Sequence, residues 1–140
     1  AVLGVYDADL SRLGPERKAG VAADLARFLA ASEWIVRRTR GGPVDSPTPR
    51  DWEQIKDRQA VAVVEADPEV RTIDLKKACV ALAWDPATMR LSMTLRILDP
   101  DGNTANPARV FSGILGLDPE EQARCFVERT AILKADGTPV

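Results

Sequence analysis

The 140-residue chain reads as one α+β domain. The expected architecture is a split β-α-β (ferredoxin-like), largely antiparallel sheet with helices on one face and an irregular insertion at 43–69. Three observations predict it. "MRLSMTLRIL" alternates with the period of a half-buried strand: Leu91, Met93, Leu95 and Ile97 point one way, and Ser92, Thr94 and Arg96 the other. "VALAW" precedes it through the turn "DPAT", which makes an antiparallel hairpin. The order of elements is strand, helix, strand, insert, hairpin, helix and strand, which lets the helices share one side of the sheet. A chain of this length buries about two thirds of its unfolded surface, so its core needs no metal or disulfide.

Taken in order, "AVLGVYDADL" is an opening strand. "GPERKAGVAADLARFLAAS" is a helix with Pro15 in its first turn, and Val21, Leu25, Phe28 and Leu29 form its apolar stripe. "EWIVRRTR" is a short strand closed by Gly41-Gly42, and "GGPVDSPTPRD" is a loop by its Pro, Ser and Gly content. "PRDWEQIKDRQAVAVVEAD" reads as a short helix and then a strand. "VRTIDL" is extended, and "KKAC" separates it from the hairpin, which ends at "DPDGN". Asn106 is a favoured N-cap before Pro107, and Val110, Phe111, Ile114 and Leu115 fall on one helical face. Gly116 stands where a left-handed residue ends a helix, and Asp118-Pro119 begins another. "CFVERTAILK" is the last strand, and "ADGTPV" reads as a frayed tail.

The formal net charge of −2 argues against a bulk electrostatic grip on nucleic acid. The chain has no histidine, so Ser-His-Asp, Cys-His and His-based zinc chemistry are excluded within it. No Walker or dinucleotide glycine pattern is present. Cys79 and Cys125 are far apart and follow no metal spacing, which fits two small core residues in a reducing, cytoplasmic setting. No apolar run approaches the roughly 18 residues of a membrane span. The first residues lack the basic and apolar regions of a secretory signal, and position 1 is not Met. A chain that opens directly on strand-like sequence is expected to be part of something longer. No metal, cofactor or catalytic residue is assigned.

Four stretches invite a functional reading. "GILG" matches the GXXG loop that clamps nucleic-acid backbones, but its interior is Ile-Leu and acidic residues follow, so a corner is expected. "DPDGNTANPARV" places Asp99, Asp101 and Asn103 like calcium ligands, yet Val110 stands where the bidentate Glu belongs, so a turn is expected. Asp74 and Lys76 are the only acid and base pair offered for catalysis, with no supporting motif. "RRTR" carries Arg37, Arg38 and Arg40; with Trp34 as a stacking surface and Arg96 on an exposed sheet face, it could bind single-stranded RNA. The alternative is an edge strand kept soluble by charge.

"RTIDLKKACVALAW", "MRLSMTLRI", "NPARVFSGILGLDPEE" and "FVERTAIL" together resemble the end of the radical-SAM-linked protein family, whose members are encoded beside or fused to a radical SAM protein. The shared features fall at Asp74-Leu75, Pro107, Gly116-Leu117 and Arg129-Thr130, and "LARFLAASEWIVRRTRGG" resembles the helix and strand before them. Asn106 stands where the family pattern has Arg, and 43–69 is an insertion against it. The resemblance implies a C-terminal part whose distinctive polar residues lie upstream, and it transfers no catalytic residue. Two functions follow as expectations. One is a non-catalytic accessory domain that docks onto a radical SAM protein or presents its substrate; the other is an RNA-binding domain using Arg37, Arg38, Arg40, Arg96 and Trp34.

Overall fold

The computed structural model describes the backbone of residues 1–39, 44–45 and 70–140, and the side chains of 1–36 and 73–140. Seven strands and four helices occur among them: β1 (Val2–Asp9), α1 (Pro15–Ala30), β2 (Ile35–Thr39), β3 (Val44–Asp45), β4 (Val70–Asp74), α2 (Leu75–Ala78), β5 (Cys79–Asp85), β6 (Arg90–Leu98), α3 (Pro107–Gly113), α4 (Pro119–Ala123) and β7 (Phe126–Lys134). The mixed α+β class is as expected. The strands form two sheets: a four-stranded one in the order β5-β6-β1-β7, and a three-stranded one in the order β3-β2-β4. Every pairing is antiparallel. The expected hairpin is present, with Leu82 opposite Met93 and Trp84 opposite Leu91.

Local chemistry accounts for the helices. In α1, Val21, Leu25 and Phe28 are buried within about 60° of one another around the axis. Leu29 departs from the expected stripe: it is 58% exposed, because it sits about 80° round from Val21. The Asn106 carboxamide accepts the Arg109 N–H as an N-cap, and Asp118 with Glu121 closes a reciprocal capping box on α4. Gly116 adopts φ +65°, which turns the chain between α3 and α4 at little steric cost. The face at Val110, Phe111, Ile114 and Leu115 is wholly buried.

One core joins these parts. Ala8, Leu91, Met93 and Leu95 from one face of the larger sheet pack with Phe28 and Leu25 of α1 and with Val110, Ile114 and Leu115 at α3. Trp34, Val36 and Ile73 bring in the smaller sheet. Gly4 completes this face, since a Cβ there would come within 2.8 Å of the Tyr6 ring. Full burial of each large side chain is worth roughly 1.5–3 kcal/mol before entropic costs, so this cluster is what sets the register of β1 and β6.

Three expectations change. β2 is the middle of its sheet rather than an edge, with Arg38 opposite both Val44 and Arg71. The loop expected from Gly41 contains β3, because Val44 and Asp45 pair with Arg38 and Arg37. The expected frayed tail folds back on β7: the Lys134 N–H donates to Thr138 O (2.7 Å), the Val140 N–H to Ile132 O (3.4 Å), and Gly137 turns the chain at φ +86°. The helix-then-strand expectation for 51–69 lies outside the described residues, as does the insertion apart from β3.

Candidate functional site

The register of the larger sheet sorts its side chains into two faces. Gly4, Tyr6 and Ala8 of β1 lie beside Leu95, Met93 and Leu91 of β6 on the core side. Among the described residues, no helix or strand packs over the other face. Across it runs a row of Arg96, Leu3 and Leu133, then Ala81, Thr94, Val5 and Ala131, then Ala83, Ser92, Asp7 and Glu128, and last Asp85, Arg90, Asp9 and Phe126. The Arg90–Asp7 ion pair at 2.9 Å confirms that diagonal neighbours on this face touch. Ala81, Ala83, Ser92 and Glu128 are exposed, Val5, Thr94 and Ala131 are half-buried, and Phe126 is 70% exposed. The first row holds Arg96, the buried Leu3 and the half-buried Leu133, the second is small and largely apolar, and the last two hold four carboxylates around Arg90.

The groups offered for chemistry are occupied in holding the fold. Asp74 Oδ1 accepts from the Trp34 N–H (3.1 Å) and the Lys76 N–H (3.0 Å), which caps α2. Lys76 Nζ donates to the carbonyls of Phe28 (3.0 Å) and Leu29 (3.3 Å), sits 4.5 Å from the Phe28 ring centroid, and so closes the end of α1. Burial pushes the Cys79 thiol up to about 12 and the Cys125 thiol up to about 11. Both therefore stay protonated and poorly nucleophilic near neutral pH.

The two short motifs are also structural. The interior of "GILG" is in the core, with Ile114 1% and Leu115 0% exposed, so no backbone clamp faces solvent. In "DPDGN", Asp99 Oδ2 accepts the Asn103 N–H and Asn103 Oδ1 accepts the Asp74 N–H, which ties the turn to β4. Among the described residues, no group of three His, Cys, Asp or Glu is placed to hold a metal ion.

The residues expected to bind RNA do not come together. Trp34 is 1% exposed: its indole N–H donates to Gly113 O at 2.6 Å, and its ring meets Phe28 edge-on, with 5.4 Å between centroids. No base can stack on it. Arg96 lies on the open face of β6, where its Nε donates to Lys77 O (2.8 Å) and its Nη1 is 3.9 Å from Asp99. Arg37 and Arg38 belong by backbone to the other sheet; their side chains, and Arg40 entirely, lie outside the described residues.

A partly enclosed space of about 790 Å³ lies between α1 and α4, lined by Gly14, Arg17, Asp24, Glu121 and Arg124. Arg17 grips Glu121 with both ends of its guanidinium, at 2.7 and 3.0 Å. That hydrogen bond holds the Glu121 carboxyl below the usual range, whereas burial raises Asp24. This is an ion pair fastening two helices, and Arg124, the other lining cation, pairs with Glu120 at 2.8 Å, so neither lining arginine is left for an anionic ligand. Among the described residues, no helix is long and apolar enough to cross a membrane. Comparison with protein-family models, curated proteins and solved structures finds no match.

Proposed function

We propose that this chain is a non-catalytic accessory domain that docks onto a protein partner, a radical SAM protein by the resemblance that covers about two thirds of the chain. The observation that carries this reading is the face of β5-β6-β1-β7 turned away from the core, where, among the described residues, Ala81, Ala83 and Ser92 stand exposed beside the half-buried Val5, Thr94 and Ala131. Such a face is suited to contact with another chain. The engagement of Asp74, Lys76 and both cysteines in the fold agrees with a role outside catalysis. The strand order, with α1 and α3 in the two connections, is compatible with the split β-α-β (ferredoxin-like) plan. On this reading β2-β3-β4 is an addition between its first helix and second strand.

RNA binding is the reading the site favours less, since Trp34 is buried and the open face carries Asp7, Asp9, Asp85 and Glu128. Capture by the immobilised domain from lysate, with and without ribonuclease, separates the two. Retention of a radical SAM protein that survives ribonuclease supports docking. RNA that is lost on raising salt, and lost in the Arg38→Ala, Arg40→Ala, Arg96→Ala triple variant, overturns it.

A further inference from the structure

We propose that the open face of the four-stranded sheet receives a basic amphipathic helix of the partner; this rests on the docking reading above and names where and with what chemistry docking occurs. The face spans about 14 Å across its four strands, so a helix of about three turns crosses it. Ala81, Ala83 and Ser92 are short and exposed, which lets a helix backbone approach closely. Val5, Thr94 and Ala131 form the apolar floor beneath it.

Charge selects the occupant. Asp7, Asp9, Asp85 and Glu128 lie along one side of this floor, with Arg90 among them and paired with Asp7, while Arg96 on the opposite side is tied to Lys77 O and Asp99, so the described residues of the face carry four carboxylates against two cations. A helix with an apolar stripe flanked by Lys or Arg sets its cations over these carboxylates and its stripe over the Ala-Thr-Val-Ala row. A second copy of this chain lying face to face brings four more carboxylates against the first four and no excess of cations, which repels. Nucleic-acid phosphates meet the same repulsion. Phe126, at the end of the acidic row and 70% exposed, is an aromatic anchor at the rim of the contact.

The test uses the whole chain and a synthetic acetylated helix of about 14 residues, with a Leu/Ala stripe flanked by lysines, titrated while backbone amide shifts are followed by NMR. The expected result is shifts concentrated at Val5, Asp7, Ala81, Ala83, Ser92, Thr94 and Glu128, and none with the same peptide carrying Glu for Lys. Two variants retain the core: Ala81→Arg with Ala83→Arg, and Asp7→Asn with Glu128→Gln. Each should weaken binding at least about tenfold. Lack of binding at millimolar peptide, equal binding of the Glu peptide or of short oligo-uridine, shifts confined to the helical side, or unaltered binding by the Arg pair each overturns the proposal. If Ala81→Arg with Ala83→Arg retains a radical SAM protein as well as the native chain does, docking stands and this face falls.

Discussion

Trp34→Phe is the perturbation that best separates a structural tryptophan from a stacking one. The indole N–H donates to Gly113 O at 2.6 Å, and Gly113 is the last residue of α3, where a helix carbonyl has no partner of its own. Phenylalanine keeps an aromatic ring against Phe28 but deletes the donor and leaves a buried acceptor unpaired, at a cost of about 1–3 kcal/mol. The smaller ring also leaves part of a site that is 1% exposed unfilled, adding roughly 1 kcal/mol. The sum is about 2–4 kcal/mol. For a domain of this size each kcal/mol lowers the melting temperature by about 3 °C, so a fall of about 6–12 °C is expected. Urea unfolding followed by circular dichroism gives the free energy, and a calorimetric scan gives the temperature. A Trp34→Phe domain within about 0.5 kcal/mol of the native one, a change typical of exposed positions, would refute the argument.

Replacing Glu121 by Gln breaks the fork with Arg17 and should lower stability by about 1 kcal/mol at neutral pH, measured by urea titration, because the pair is partly exposed. The sign with pH follows from the lowered carboxyl: the contribution is complete above the ordinary value of 4.5 and disappears as pH falls through the folded value, so native and variant stabilities should converge in acid. Asp118→Ala removes one half of the capping box and should cost about 1 kcal/mol; a change near zero means that α4 does not depend on its cap. Cys79, raised to about 12, and Cys125, raised to about 11, should react slowly with a disulfide reagent at pH 8 and promptly in urea. Prompt labelling of both half-buried thiols in the native domain contradicts this upward shift.

Much of the fold was legible from short stretches. The alternation of Leu91, Met93 and Leu95, the caps at Asn106 and Asp118, and the turn at Gly116 depend on neighbours a few residues away, and the chain states them directly. The outward direction of Ser92, Thr94 and Arg96 was legible for the same reason. The open face was not, since it is assembled from four strands. Only the register of β1 against β6 and β7 places Asp7 beside both Ser92 and Glu128.

The sequence by itself determined the α+β class, the main helices, the hairpin and the lack of histidine chemistry. Tertiary structure decided the rest. Trp34 sits next to an arginine-bearing strand in the chain, and only the packing of α3 against it shows that its polar edge ends a helix rather than meets a base. Whether β2 is an edge or a centre depends on where β3 and β4 arrive, and whether the last six residues fray depends on a returning hydrogen bond from Lys134 to Thr138. Periodicity reports which side of an element is apolar. It carries no record of which partner, if any, covers the other side, because that is settled by contacts between residues far apart in the chain.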